Sequence, residues 1–265
     1  MTIPRTIIIK GAGDLASGVA HRLWWAGFDV IMTELAQPLV VRREAAFAAA
    51  VFRGECTVEG ITARLCLPDQ VARVLAGREI PVVVDPDGEL VRHLNPKILI
   101  DAVMAKRNTG SGITDAALVI GLGPGFVAGL DVHAVIETSR GHNLGRVFYR
   151  GAAEADSGIP GEVGGAGRER LLRAPAGGTF KPVKEIGAVV HKGDTVAYVD
   201  RIPVTAGVDG LLRGLLFPGL IVQAGMKVGD IDPRGSAVDY RTVSDKARSI
   251  GGGVLEAILN RFFRE

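Results

Sequence analysis

Aromatic residues are scarce in this 265-residue chain, at 5%, and its 31 basic and 29 acidic residues nearly cancel to a formal net charge of +2. A protein that grips nucleic acid needs a basic field and stacking platforms, so neither DNA nor RNA is an expected partner. Cysteine is almost missing. Cys56 and Cys66 lack C-x-x-C spacing, which excludes a zinc site of cysteines alone and argues against a disulfide framework. No apolar run approaches the roughly 18 residues of a membrane helix, and Pro4-Arg5 gives way at once to a strand, unlike a basic-then-apolar leader. A cytoplasmic location without a membrane partner is therefore expected. A nucleophile elbow, an H-E-x-x-H pair and a Walker lysine are also missing, so hydrolysis by those routes and a metal site are not expected.

What the chain does have is apolar mass, at 47%, enough to bury a core in one large or two modest domains. Thr6-Ile7-Ile8-Ile9-Lys10 reads as a buried strand that feeds through Gly11-Ala12-Gly13-Asp14 into a helix from about Leu15 to Ala26. Gly11 permits the tight turn, Gly13 lets backbone amides approach a pyrophosphate, and Ala16 takes the third place of G-x-G-x-x-G/A. A second strand ends in Glu34, twenty-one residues after Gly13, close to the spacing of the acid that binds a ribose hydroxyl. Asp14 opposes this reading by repelling a phosphate, which leaves a scaffold that uses the turn only for packing. Arg42 and Arg43 follow where a 2′-phosphate would lie, or are solvated.

Further strand-like runs at Pro81–Asp85, Ile98–Asp101 and Ala117–Gly121 alternate with helical patterns at Arg43–Phe52 and Asp69–Ala76, as parallel βαβ units do. Thr57–Ala63 resembles a hairpin turning at Glu59-Gly60. Asp85-Pro86-Asp87-Gly88 suits a divalent ion or a turn equally. A second glycine loop, Gly121-Leu122-Gly123-Pro124-Gly125, opens at a strand's carboxyl end and is either an anion site or a rigid turn. The strand Leu130–Glu137 delivers Thr138-Ser139-Arg140-Gly141-His142-Asn143 into a glycine-bounded loop. There Arg140 offers a bidentate fork, His142 a titratable group and Asn143 an orienting amide. Arg140 and His142 are the candidate catalytic residues, unless the loop is a polar turn.

The expected class is α/β: a Rossmann-like parallel sheet domain over 1–150, a Gly/Pro-rich connection over 151–180, a small β-rich domain over 181–235, and a C-terminal segment, 236–265, with a helix from Val254 after the Gly251-Gly252-Gly253 break. The β-rich stretch, with V-x-x-G turns at Val190–Gly193 and Val222–Gly225, resembles the barrel-sandwich hybrid of biotinyl and lipoyl domains. Asp200-Arg201-Ile202 stands where those carriers present a modified lysine, so covalent biotin or lipoate is not expected.

Gly11–Leu23, Gly121–Phe126, Ile136–Gly145 and Gly229–Arg234 together, in this order, resemble the accessory proteins of the selenium-dependent molybdenum hydroxylase system, distantly similar to xanthine dehydrogenase accessory factors. The resemblance implies maturation or insertion of the molybdenum cofactor of a client hydroxylase. Its ligand would be a nucleotide, a molybdopterin dinucleotide or NAD(P), across Gly11, Gly13, Ala16, Glu34, Arg42, Gly121, Gly123, Gly125 and Asn143. An NAD(P)-dependent oxidoreductase and a non-enzymatic chaperone of the hydroxylase are the alternatives, and a homo-oligomer is left open.

Overall fold

The computed structural model describes residues 3–158 and 161–263. The chain forms two compact units, one of residues 1–38, 46–157 and 243–265, the other of 39–45 and 158–242. In the first unit the chain runs through β1 (Thr6–Lys10), α1 (Asp14–Trp25), β2 (Asp29–Glu34), α2 (Ala50–Arg53), β3 (Glu55–Val58) and β4 (Ile61–Leu65). It continues through α3 (Val71–Ala76), β5 (Ile80–Val84), α4 (Glu89–Leu94), β6 (Ile98–Asp101), β7 (Leu118–Leu122), β8 (Val127–Ala128), β9 (Ala134–Ile136), β10 (Val147–Phe148) and β11 (Gly151–Ala152). Nine strands form one sheet in the order β10-β9-β7-β6-β1-β2-β5-β4-β3. Its inner strands are parallel, and β10 and β3 close the two edges antiparallel. Ile7, Ile8 and Ile9 of β1, and Ile98, Leu99 and Ile100 of β6, are fully buried. Covering on both faces is what makes such strands continuous apolar runs.

This mixed sheet corrects the expected Rossmann-like parallel domain. The crossovers from β6 to β7 and from β7 to β9 contain no helix; Gly110, Gly112, Gly123, Gly125 and Gly129 fall in those segments, and glycine disfavours helix. The missing cover comes from the far end of the chain, where α5 (Asp245–Phe263) packs on α1, β7, β9 and β10. That helix begins nine residues before the expected Val254 and runs through Gly251-Gly252-Gly253. The glycines are contact points: a Cβ on Gly18 of α1 would come within 2.4 Å of Ala247 Cβ, and one on Gly253 within 2.2 Å of the Gly145 carbonyl. Close backbone approach overrides the helix-breaking tendency of the triplet.

Other boundaries shift for local reasons. The expected helix over Arg43–Phe52 is two 3-10 turns, Arg43–Ala45 and Phe47–Ala49, followed by the short α2. The Asp85 carboxylate accepts the backbone N–H of Glu89 and of Leu90, the turn use of that segment, and so starts α4. The Glu59-Gly60 turn forms as expected, with φ of 46° and 82°, joining β3 to β4.

The second unit holds two four-stranded antiparallel sheets, and these correct the expected barrel-sandwich hybrid. One contains β12 (Leu171–Arg173), β14 (Val189–Val190), β17 (Gly210–Leu215) and β19 (Lys227–Asp232). The other contains β13 (Gly178–Pro182), β15 (Thr195–Val199), β16 (Ile202–Thr205) and β18 (Ile221–Val222). The expected connection over 151–180 supplies β11, β12 and the start of β13; its residues 159–160 lie outside the described residues. Alternate residues of β19 carry buried carboxylates, Asp230 paired with Arg170 and Asp232 with Arg213 and Arg234. Burial opposes the charge on Asp232, yet the hydrogen bonds of Arg234 and the field of Arg213 hold its carboxyl below the usual carboxylate range. Buried charges persist only with partners.

Candidate functional site

β1 and β6 lie side by side, Lys10 opposite Asp101 at their C-terminal ends. From this pair the sheet continues through β2 on one side and through β7 on the other. In open α/β sheets, ligands bind in the crevice outside the strand ends at such a reversal. Lys10 Nζ donates to Ser111 Oγ at 2.8 Å and lies 3.3 Å from Asp101 Oδ2. Ser111 Oγ donates in turn to Asp101 Oδ2 at 2.6 Å, a short bond of the charge-assisted kind. Asp101 and Ser111 are 1% and 3% exposed, whereas the Lys10 side chain keeps 18% of its surface.

The segment between β6 and β7 holds these groups in place. Asn108 Oδ1 accepts the N–H of Gly110 and of Ser111, while Nδ2 donates to the Ser111 carbonyl at 2.7 Å. The second oxygen of Asp101 accepts the Val103 N–H at 3.2 Å. Met104 and Lys106 adopt φ of 60° and 62°, the left-handed region that costs an L-residue about 1–2 kcal/mol each. Strain of this sort persists where surrounding contacts over-determine the backbone, and it clusters at ligand sites.

Four of the glycines expected to cradle a phosphate instead approach protein, whereas a Cβ on Gly13 would meet open space. A Cβ on Gly11 would lie 3.0 Å from the Ala102 carbonyl, one on Gly123 2.5 Å from Thr138 Oγ1, and one on Gly125 2.6 Å from the Arg107 backbone; within β7, Gly121 abuts the Phe126 ring. Gly13 caps α1 and its carbonyl accepts the Ser17 N–H; Ala16 is buried in that helix. The space beside the first turn of α1 is taken by residues 46–50. Ala48 N–H donates to the Ala12 carbonyl, Phe47 N–H donates to Ser17 Oγ, and Ala46 to Ala50 are fully buried. Glu34 does not face a ribose. Its carboxylate reaches back across the turn, Oε2 accepting the Ala12 N–H at 2.9 Å and Oε1 the Leu35 N–H at 2.8 Å. Burial pushes this carboxyl above the usual range, and the two amide bonds oppose the rise. The dinucleotide reading of the turn is therefore corrected: Glu34, expected at a ribose, instead takes up the Ala12 N–H of the turn itself. Arg42 belongs to the second unit, where it donates to the Thr242 carbonyl.

The loop after β9 stands on Glu137, a fully buried carboxylate. Its oxygens accept the N–H of Ser139 at 2.7 Å and of Glu154 at 2.8 Å, tying two segments together. Arg140 forms the expected bidentate fork, but with a protein carboxylate: Nη1 and Nη2 each lie 2.9 Å from an oxygen of Asp245, in the first turn of α5. His142 is exposed at the tip, and Asn143 Oδ1 is buried without a hydrogen-bond partner among the described residues. Since β9 is three strands from β1, at about 4.8 Å per strand this loop starts ~14 Å from Lys10. Sequence does not single out Lys10 and Ser111, and marks Asp101 only as the end of a strand and, with Lys106 and Asn108, as bracketing the element that follows. The available signal was a polar residue closing each of two fully apolar strands, Ile-Ile-Ile-Lys and Ile-Leu-Ile-Asp. Among the described residues, no group of three or more His, Cys, Asp or Glu is placed to hold a metal ion, and no helix is long and apolar enough to cross a membrane.

No family model matches the chain. It is similar to the Escherichia coli (strain K12) protein named Uncharacterized protein YqeB, with 51% identity over 254 residues, 96% of this chain and 47% of that protein. The chain thus spans about half the length of the curated relative it matches. Among solved structures it is similar to the ectoine utilization protein EutE from Ruegeria pomeroyi, at 22% identity over 31% of this chain and 28% of that one, TM-score 0.22. An aspartoacylase family protein from Mesorhizobium loti matches at 11% identity over 79% and 58% of the two chains, TM-score 0.24. A succinylglutamate desuccinylase/aspartoacylase from Rhodobacter sphaeroides matches at 16% identity over 80% and 61%, TM-score 0.25. Likeness this weak assigns neither fold nor activity. None of these proteins is described as a molybdenum hydroxylase accessory factor, and the resemblance stated above is corrected accordingly. The role in molybdenum cofactor maturation, the alternatives of oxidoreductase and hydroxylase chaperone, and the bound molybdopterin dinucleotide or NAD(P) are withdrawn with it.

Proposed function

We propose that the protein is an enzyme acting on a small oxyanion-bearing molecule in the crevice beyond the C-terminal ends of β1 and β6. The observation that carries this reading is the hydrogen-bonded chain Lys10–Ser111–Asp101 at that edge. An ammonium has three donors. Two of them point at Ser111 and Asp101, and the third is available to a carboxylate or phosphate oxygen. Ser111 both accepts from Lys10 and donates to Asp101, so a proton can shift along the chain while the substrate's charge changes. Acid–base help of this kind contributes about 10²–10⁴ in rate. Arg140, His142 and Asn143 belong to the proposal as a separate loop along the same sheet edge, ~14 Å from Lys10; an anion arriving there would compete with Asp245 for the Arg140 fork. A cytoplasmic location is part of the same reading, supported by the near-balanced charge and low cysteine content.

Thermal denaturation against a panel of small phosphates and non-aromatic carboxylates tests the proposal, using the native protein, Lys10→Met and Ser111→Ala. A ligand that stabilises the native protein should lose its effect in Lys10→Met and keep part of it in Ser111→Ala. Equal stabilisation of all three would overturn the assignment.

A further inference from the structure

A cavity of about 230 Å³ opens at the other edge of the large sheet, where β1 and β2 begin. Phe28, Val30 and Leu75 line its apolar part, Trp24 forms a wall, and Arg5 and Arg78 stand around it together with the carboxylates of Asp29 and Glu79. Arg78 holds φ at 58°, an unusual conformation for a bulky residue. Its guanidinium carbon lies 5.5 Å from the centroid of the Trp24 ring. No carboxylate pairs with Arg78 among the described residues. Its neighbour Glu79 is engaged by Arg64, whose Nε and Nη2 lie 2.5 and 2.8 Å from the two carboxylate oxygens. Arg5 reaches Asp29 only at 3.5 Å. The cavity therefore combines apolar walls with two guanidinium groups that retain donors, one of them oriented by an aromatic face.

From this geometry we infer a second ligand site, for a single-ring aromatic carboxylate. The ring would rest on Phe28, Val30 and Leu75 beside Trp24, and the carboxylate would take the bidentate edge of Arg78, with Arg5 alongside. Drug-sized ligands occupy pockets of about 300–1,000 Å³, so this cavity suits a smaller, one-ring body. Its residues are separate from Lys10, Asp101 and Ser111, so the inference stands whether or not the proposed function does.

The chain's two tryptophans are Trp24 and Trp25, and their rings meet edge to face with centroids 5.1 Å apart. Intrinsic fluorescence therefore reports on this site without a label. The experiment titrates the native protein with benzoate, phenylacetate, hexanoate, benzyl alcohol and inorganic phosphate. Benzoate or phenylacetate should give a saturable change, and benzyl alcohol and phosphate none at the same concentration. Arg78→Gly suits the left-handed backbone, so it should fold, as checked by circular dichroism, and bind about tenfold more weakly. Arg78→Asn, whose short side chain also tolerates that conformation, gives a second measurement with the same expectation. The inference is overturned by the absence of a saturable change at millimolar carboxylate, by unaltered affinity in both variants, or by a saturable fluorescence change with phosphate or hexanoate that the Arg78 variants weaken as they weaken that of benzoate.

Discussion

Replacing Lys10 with methionine keeps most of the side chain's length and apolar contact and removes only the ammonium. Asp101, 1% exposed, then loses its cation but keeps the hydrogen bonds from Ser111 Oγ and the Val103 N–H. Deleting one member of a buried ion pair costs about 3–5 kcal/mol. The two remaining bonds to the carboxylate, and the 18% exposure of the Lys10 side chain, bring the expected loss down to about 2–3 kcal/mol. For a chain of this size that corresponds to a fall in Tm of about 4–12 °C. Urea denaturation followed by tryptophan fluorescence reads the first unit selectively, because Trp24 and Trp25 both lie in it. The double variant Lys10→Met/Asp101→Asn should recover part of the loss, since it leaves no unpaired buried charge. A loss below about 0.5 kcal/mol for Lys10→Met, or strictly additive losses in the double variant, would refute the coupling of these groups.

Other outcomes follow from the packing and the histidines. Burial holds the imidazoles of His21 and His133 below their ordinary range, against the opposing charge of Glu59 in the case of His21. As the pH falls the unfolded chain takes up these protons first, so their contribution is complete above about pH 6.5 and declines as the pH drops from there toward the folded values. His133 Nδ1 accepts the Val119 N–H at 3.0 Å, and His133→Gln should flatten the slope of stability between pH 5 and about 6.5; an unchanged slope would contradict this. Gly18→Ala would force α1 and α5 apart, at an expected cost of about 1–3 kcal/mol, and Ala247→Gly in the same chain should restore part of it. Glu59 accepts the Val243 N–H, and Arg248 Nη2 donates to both of its carboxylate oxygens, so Glu59→Ala should hasten limited proteolysis near 243; an unchanged cleavage rate would count against that tether.

Much of the large sheet was legible because fully buried strands are written as unbroken apolar runs. Ile7-Ile8-Ile9, Pro81-Val82-Val83-Val84 and Leu118-Val119-Ile120 each lie within a residue or so of the observed strands. Glu59-Gly60 announced its hairpin through turn chemistry that is local by nature. What depended on distant contacts was hidden. Gly251–Gly253 reads as a break until Gly18 and Gly145 are placed against it, and the six residues of α4 are too few to display a helical period. The same holds for the site. The second glycine loop carried the right residue types for an anion, but tertiary packing against Thr138 and Arg107 uses them up. Lys10 and Ser111 are 101 residues apart in sequence, and only the pairing of β1 with β6 and the Asn108 staple bring them together.

Isothermal titration calorimetry decides the placement of the site, with the most stabilising phosphate or non-aromatic carboxylate titrated into the native protein, Lys10→Met and Arg78→Gly. Binding should be lost in Lys10→Met and retained in Arg78→Gly. Undiminished affinity in a folded Lys10→Met protein would contradict the placement of the site beside Lys10, Asp101 and Ser111.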